Sequence, residues 1–189
     1  MSVAIVALGA SWGGLRAVNA LLEQLPVSFE PPVAIVQHRQ PATTTHLVES
    51  FASHCPLPVA EPHDKTEILS GHVYVAPADY HLLVERGAFA LSIDEPTSFS
   101  RPSIDVLFES AAEAYGPEAV GILLTGASDD GARGLRHIRR RGGVGIVQDP
   151  ATAERSTMPA AGVAAGAAHQ VLPLEAIVPF LLELAPARA

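Results

Sequence analysis

Three short segments of this chain carry residue types that together could do acyl-transfer chemistry. Gly9-Ala10-Ser11-Trp12-Gly13-Gly14 holds a serine at G-x-S-x-G spacing. Gln37-His38-Arg39-Gln40-Pro41 presents a histidine, and Gly126-Ala127-Ser128-Asp129-Asp130-Gly131-Ala132 presents two aspartates. A serine hydroxyl is a weak nucleophile until a base takes its proton. The base in turn needs a carboxylate to hold its tautomer and stabilise its charged form. On this chemistry Ser11 attacks, His38 takes and returns the proton, and Asp130 orients the imidazole. The N–H of Trp12, at the start of a helix, is a candidate donor to the developing oxyanion. Each segment also has a plainer reading: a Gly-rich phosphate turn, a packing histidine, a helix-capping aspartate. Asp129 is the alternative acid beside Asp130.

The elements that must position these residues are legible as apolar runs of two lengths. VAIVAL (3–8), VAIVQ (33–37), AVGILLT (119–125) and VGIVQ (144–148) are β-branched-rich and bounded by Gly or Pro, as buried parallel strands are. Between them the apolar residues recur at helical spacing. Leu15, Val18, Leu21, Leu22 and Leu25 share a face in 13–25. Ile104, Leu107, Phe108, Ala111, Ala112 and Tyr115 do so in 103–115, after a Pro102–Ser103 start. Further helices are expected over 131–141, stopping at Gly142–Gly143, and over 174–184, where Pro179 could kink the chain. HVYVAP (72–77) reads as a strand, and HLLVE and FALSI around Arg86–Gly87 as a β-hairpin. The expected fold is a single α/β domain. It is three-layered, doubly wound and Rossmann-like, with a mostly parallel sheet and a β-hairpin. In such sheets sites form beyond the carboxyl ends of the strands, where strand order reverses. Ser11, His38 and Asp130 all fall at such ends, on three separate strands.

Composition narrows the class. With 12 basic and 20 acidic residues the formal charge is −8, which argues against nonspecific nucleic-acid binding. No apolar run approaches the ~18 to 20 residues of a spanning helix, so no membrane insertion is expected. The apolar start runs straight into Gly-rich structure without a basic region, and reads as a core strand rather than a leader. The single cysteine, Cys55, excludes an intramolecular disulfide and a Cys-rich metal site. His38, His46, His54, His63, His72 and His81 recur every eight or nine residues, unlike the short spacings of zinc ligands. No metal and no cofactor are expected, and the compartment is expected to be reducing.

Several motifs in register resemble the catalytic domain of the CheB-type chemotaxis receptor methylesterases, over essentially the whole chain. They are GASWGG around Ser11, VQHRQP around His38, VYVAPADYHLLVE, RPSIDVLFESAA, LTGASDDGARGL around Asp130, and STMPAAGVAAGAAHQVLPLEAI. The resemblance implies a cytoplasmic enzyme that hydrolyses glutamate γ-methyl esters on the cytoplasmic helices of chemoreceptors and also deamidates glutamines there. It places nucleophile, base and acid on Ser11, His38 and Asp130, in agreement with the strand-end reading, and Ala127 beside the oxyanion. The chain departs from the family at Trp12, where Thr is common, and at Arg39 and Ala127, where Met is common. It begins at the first strand of the catalytic domain with no receiver domain before it. That start suggests a stand-alone esterase or a piece of a longer protein.

Arg39 and Arg101, the latter just before Pro102–Ser103, are candidate substrate contacts bordering the cleft. Arg136, Arg139, Arg140 and Arg141 form either a solvated helix end or a contact patch for acidic receptor helices. Two other functions compete with the esterase. One is a Rossmann-like nucleotide or phosphate-binding module built on Gly9–Gly14. The other is a degenerate relative that binds receptor without turnover.

Overall fold

The computed structural model describes residues 2–39 and 46–185. Gln40 and Pro41, the end of the histidine motif, lie outside them.

Seven strands form a parallel sheet in the order β3-β4-β2-β1-β7-β8-β9. They are β1 (Ile5–Ala10), β2 (Val33–Gln37), β3 (Val59–Ala60), β4 (Val73–Val75), β7 (Ala119–Leu123), β8 (Val144–Gln148) and β9 (Gln170–Leu172). The antiparallel hairpin β5 (His81–Glu85) and β6 (Ala88–Ser92) stands apart from the sheet. The helices are α1 (Gly14–Leu22), α2 (Leu47–Ala52), α3 (Ile104–Tyr115), α4 (Ala132–Arg140), α5 (Thr157–Ala164) and α6 (Leu174–Leu184).

Strand alternation divides the core in two. On β1, Val6, Leu8 and Ala10 face one layer, where they meet α1, α2 and α6 through Val18, Leu21, Phe51, Ile177 and Leu181. Ile5 and Ala7 face the other, packed with α3, α4 and the hairpin through Leu107, Phe108, Leu135, Leu82 and Phe89. β1 is therefore central and pairs with β2 on one side and β7 on the other. The chain winds outward from β1 through β2 and β4, then crosses back to β7, so strand order reverses at β1. That reversal opens the crevice into which the ends of β1, β2 and β7 point.

The strand and helix expectations hold with small shifts. The first strand is displaced two residues toward Ser11, and the strand expected at 119–125 ends at Leu123. Leu15 is exposed rather than core-facing. It lies in the first turn of α1, which starts beyond the end of β1. Pro179 does not break α6, which runs unbroken from Leu174 to Leu184. Helices α2 and α5 and the short strands β3 and β9 had no expectation attached.

Close approach of α3 to the sheet is what builds the site. A Cβ on Gly9 would lie 2.2 Å from Ile104 Cγ2, and one on Gly131 would lie 2.6 Å from the same atom. Ile104, the first residue of α3, thus seats over two glycines, at the end of β1 and just before α4. No side chain larger than hydrogen fits at either position without moving it.

Candidate active site

β1 and β2 run in parallel with Ala10 opposite Gln37, and the His38 N–H donates to Ala10 O at 2.9 Å. One further step of that register sets Ser11 beside His38. On the other side Ser11 N–H donates to Thr125 O at 3.0 Å, joining the nucleophile turn to the segment after β7. The following residues, 126–131, bring Asp130 back under His38. The imidazole Nε2 lies 2.7 Å from Asp130 Oδ2, linking residues 92 positions apart. The Asp130 side chain is fully buried and the His38 side chain is 13% exposed, so the imidazole forms the boundary between core and cleft.

Asp130 accepts three further hydrogen bonds, all from the start of α3. They come from Ile104 N–H at 2.7 Å, Asp105 N–H at 3.0 Å and Ser103 Oγ–H at 2.9 Å. The arrangement is reciprocal. Asp105, inside the first turn of α3, accepts from Gly131 N–H at 2.9 Å and Gly134 N–H at 2.7 Å, at the start of α4. Each helix N-terminus is thereby capped by a carboxylate from the other. Burial by itself would raise the Asp130 carboxyl. The hydrogen bond and charge of His38 with the N–H groups of Asp105 and Ile104 outweigh it and hold the group below the ordinary carboxylate range. For Asp105 burial wins: its carboxyl is pushed up, assisted by the charge of Asp130 and opposed by Gly134 N–H and Arg133. Asp129, the alternative acid, is exposed, and Asp130 is the one that meets His38.

Two strand-terminal glutamines tie the crevice together. Gln37 Nε2 donates to Ser11 O at 2.8 Å and His38 O at 3.0 Å, bridging the nucleophile turn and the histidine segment. Gln148 Oε1 accepts from Thr125 N–H at 2.9 Å, and Thr125 Oγ1 donates to Trp12 O at 2.9 Å. His81 is buried behind the site. Its Nδ1 accepts from Ser103 N–H at 3.2 Å and its Nε2 donates to Glu95 O at 3.2 Å, which fixes the tautomer. None of these supports was singled out from sequence. A signal existed for the glutamines, since VAIVQ and VGIVQ each end a wholly apolar strand on a buried amide.

Among the described residues the N–H groups of Trp12 and Ala127 donate to no acceptor, and no hydrogen bond joins Ser11 Oγ to His38. Trp12 is 59% exposed at the mouth of the site, and Ala127 is exposed. Arg39 and Arg101 both line a cavity of about 150 Å³ with His38, Asp79 and Phe99. Neither is a free cation: Arg39 pairs with Glu61 at 3.3 Å and Arg101 with Asp79 at 3.0 Å. A larger cavity of about 620 Å³ lies behind the nucleophile turn, lined by Gly13, Arg16, Asn19 and Gln148, and does not reach His38.

The phosphate-cradle reading of Gly9–Gly14 meets an obstacle here. Glu154 covers Gly13, with its Oε2 only 2.9 Å from where a Gly13 Cβ would stand, so a carboxylate occupies the turn's flank. The arginine cluster stands away from the site. Asp130 precedes α4, and Arg139, Arg140 and Arg141 end it, roughly 13 Å further along the helix. Arg139 is bound to Gly166 O and Ala168 O, and Arg141 to Glu113. Among the described residues no group of three or more His, Cys, Asp or Glu side chains could hold a metal ion, and no helix is long and apolar enough to cross a membrane.

Comparison with known proteins agrees with this architecture. A family model described as CheB methylesterase matches residues 6–181. A protein of Leptospira interrogans is 43% identical over 185 residues, covering 97% of this chain and 96% of its own length. Protein-glutamate methylesterase FrzG of Myxococcus xanthus is 41% identical over 180 residues, 95% of this chain and 54% of that protein. A protein-glutamate methylesterase/protein-glutamine glutaminase of Trichodesmium erythraeum is 40% identical over 178 residues, 92% of this chain and 51% of its own. The chain thus spans about half the length of the latter two. The crystal structure of the Thermotoga maritima CheB methylesterase catalytic domain superposes with a TM-score of 0.91 at 34% identity, covering 97% of this chain and 100% of that one. With its Rossmann-like parallel sheet, its separate hairpin and a match over nearly its full length, the chain belongs to the CheB methylesterase family.

Proposed function

We propose that the chain is a serine hydrolase that removes methyl groups from esterified glutamates on the cytoplasmic helices of chemoreceptors, and deamidates glutamines at equivalent positions. The observation that carries this reading is the 2.7 Å bond between His38 Nε2 and buried Asp130, at the strand end beside Ser11. With Nε2 committed to Asp130, Nδ1 is the nitrogen left to serve Ser11. The Ser11 Oγ contact is one that closes with substrate, as catalytic hydrogen bonds in empty sites commonly do.

Ser11 Oγ attacks the ester carbonyl carbon as its proton passes to His38 Nδ1. The unpaired N–H groups of Trp12 and Ala127 are the donors available to the oxyanion. The tetrahedral adduct collapses to an acyl-enzyme, and methanol leaves with the proton returned by His38; from a glutamine the leaving group is ammonia. Water then attacks the acyl carbon with its proton going to His38, and Ser11 and a free glutamate are released. Asp130 remains ionised throughout, stabilising the imidazolium.

The deciding measurement is methanol release from a methylated receptor fragment, with covalent labelling by a serine-directed phosphonate. Ser11→Ala should lower turnover by about 10³-fold or more and abolish labelling while circular dichroism stays unchanged. Retention of methanol release in that variant would overturn the mechanism.

A further inference from the structure

The nucleophile is flanked by a feature that the esterase chemistry does not use. Trp12, next to Ser11, keeps most of its indole exposed, and the Arg155 guanidinium lies over the ring at 5.1 Å from its centroid. The backbone that carries the Arg155 side chain is pinned on both sides. Its N–H donates to Thr125 Oγ1 at 2.9 Å and its carbonyl accepts from Gly126 N–H at 3.1 Å. The same Thr125 hydroxyl donates to Trp12 O. One hydroxyl just beyond β7 thus ties together the backbones that carry the indole and the guanidinium.

The ion pairing of this arginine differs from that of its neighbours. Arg39 and Arg101 hold Glu61 and Asp79, and Arg16 approaches Glu154 at 4.0 Å. Among the described residues no carboxylate pairs with Arg155. Stacking occupies the face of a guanidinium and leaves its edge N–H groups free, in the fork that matches a carboxylate. An exposed, pre-oriented cation beside the nucleophile of a chain with net charge −8 is a receptor for an anion.

Resting on the esterase reading, we propose that Trp12 and Arg155 form a recognition pair for an acidic residue lying one helical turn from the glutamate to be processed. Side chains three or four residues apart on a helix stand about 5–6 Å from one another, so a helix presenting its ester to Ser11 presents that neighbour across the indole. The stem of the target side chain packs on the exposed ring while the neighbouring carboxylate meets the Arg155 edge. The pair therefore selects acidic helical segments over neutral ones.

Trp12 is the only tryptophan in the chain, so intrinsic fluorescence reports on this position alone. The test titrates two helical peptides onto the Ser11→Ala protein at low ionic strength, because glutamine is itself a substrate of the proposed deamidation. Both carry a central glutamine as the neutral stand-in for the ester, with either glutamate or glutamine four residues away. The glutamate peptide is expected to bind about fivefold more tightly and to change the Trp12 emission, with the preference shrinking as salt is raised. In Arg155→Gln the two peptides should bind equally. Equal affinities with Arg155 in place, or a preference that survives Arg155→Gln, would overturn the proposal. Because the titration reads binding without turnover, its outcome separates from that of the esterase. Charge preference without methanol release removes the esterase reading alone, and methanol release without charge preference removes this one alone.

Discussion

The two helix N-termini that meet beneath the crevice are capped in the same way and tuned in opposite directions. Asp130 caps α3 and Asp105 caps α4, both buried and both accepting backbone N–H groups of the facing helix. Only Asp130 also meets an imidazole, and its carboxyl is held low, whereas that of Asp105 is raised by burial. Helix capping alone therefore does not decide the ionisation of a buried carboxyl. The imidazole hydrogen-bonded to Asp130 tips the balance there, whereas Arg133, 3.5 Å from Asp105, does not overcome the burial of that carboxyl. The exchange of caps makes the pair a structural clamp, of which only the Asp130 half also binds His38.

The largest effect that can break this comparison is removal of the Asp130 charge. Asp130→Asn keeps the shape but replaces one of the two accepting oxygens with a donor and leaves the imidazolium uncompensated. Turnover of a methylated receptor fragment should fall of the order of 10³–10⁴-fold. Asp105→Asn, the same chemical change 25 positions away in sequence, should cost less than about tenfold in turnover and about 1 kcal/mol in urea-unfolding stability. The residue still offers Gly131 and Gly134 an acceptor. Equal activity losses at the two positions would show that the clamp, and not the ion pair with His38, carries the function.

The pH dependence of stability sharpens the same contrast with a smaller signal of opposite sign. A carboxyl held low in the fold stabilises above its unfolded value of ~3.9, and that contribution is lost as pH falls from there through the folded value. The stability gap between the unaltered protein and Asp130→Asn should accordingly narrow on acidification below ~3.9. A carboxyl raised in the fold behaves conversely: its favourable contribution is complete below ~3.9 and is lost as pH rises through the folded value. Against Asp105→Asn, the unaltered protein should gain stability as pH falls from neutrality. Urea midpoints at stepped pH values for the three proteins measure both trends, and trends of the same sign would contradict the assigned environments.

The central strands were legible because each is a β-branched run buried on both faces and bounded by Gly or Pro. In a parallel sheet their carboxyl ends point the same way. That geometry alone groups Ser11, His38 and Asp130 once the strands are placed. The clamp was not legible. Ser103 marks a helix start in sequence, but that Asp105 caps a different helix depends on Ile104 seating over Gly9 and Gly131, a contact with no local signature. Helix α5 was hidden for another reason. Its segment TMPAAGVA contains Pro159 and Gly162 and buries Met158, Pro159 and Gly162, which form no long apolar stripe. Arg155 lies just before it in a stretch without periodicity, so its place over the indole follows only from the hydrogen bonds of Thr125.

The ties around the nucleophile turn share a property with a practical consequence. They run through the Gln37 and Gln148 amides, the Thr125 hydroxyl and main-chain groups, and none of these titrates in the working range of an enzyme. The frame that holds Ser11 is therefore silent to protons and little affected by salt. Changes in rate with pH should report the proton-transferring group itself, since the scaffold around it keeps one shape across the range.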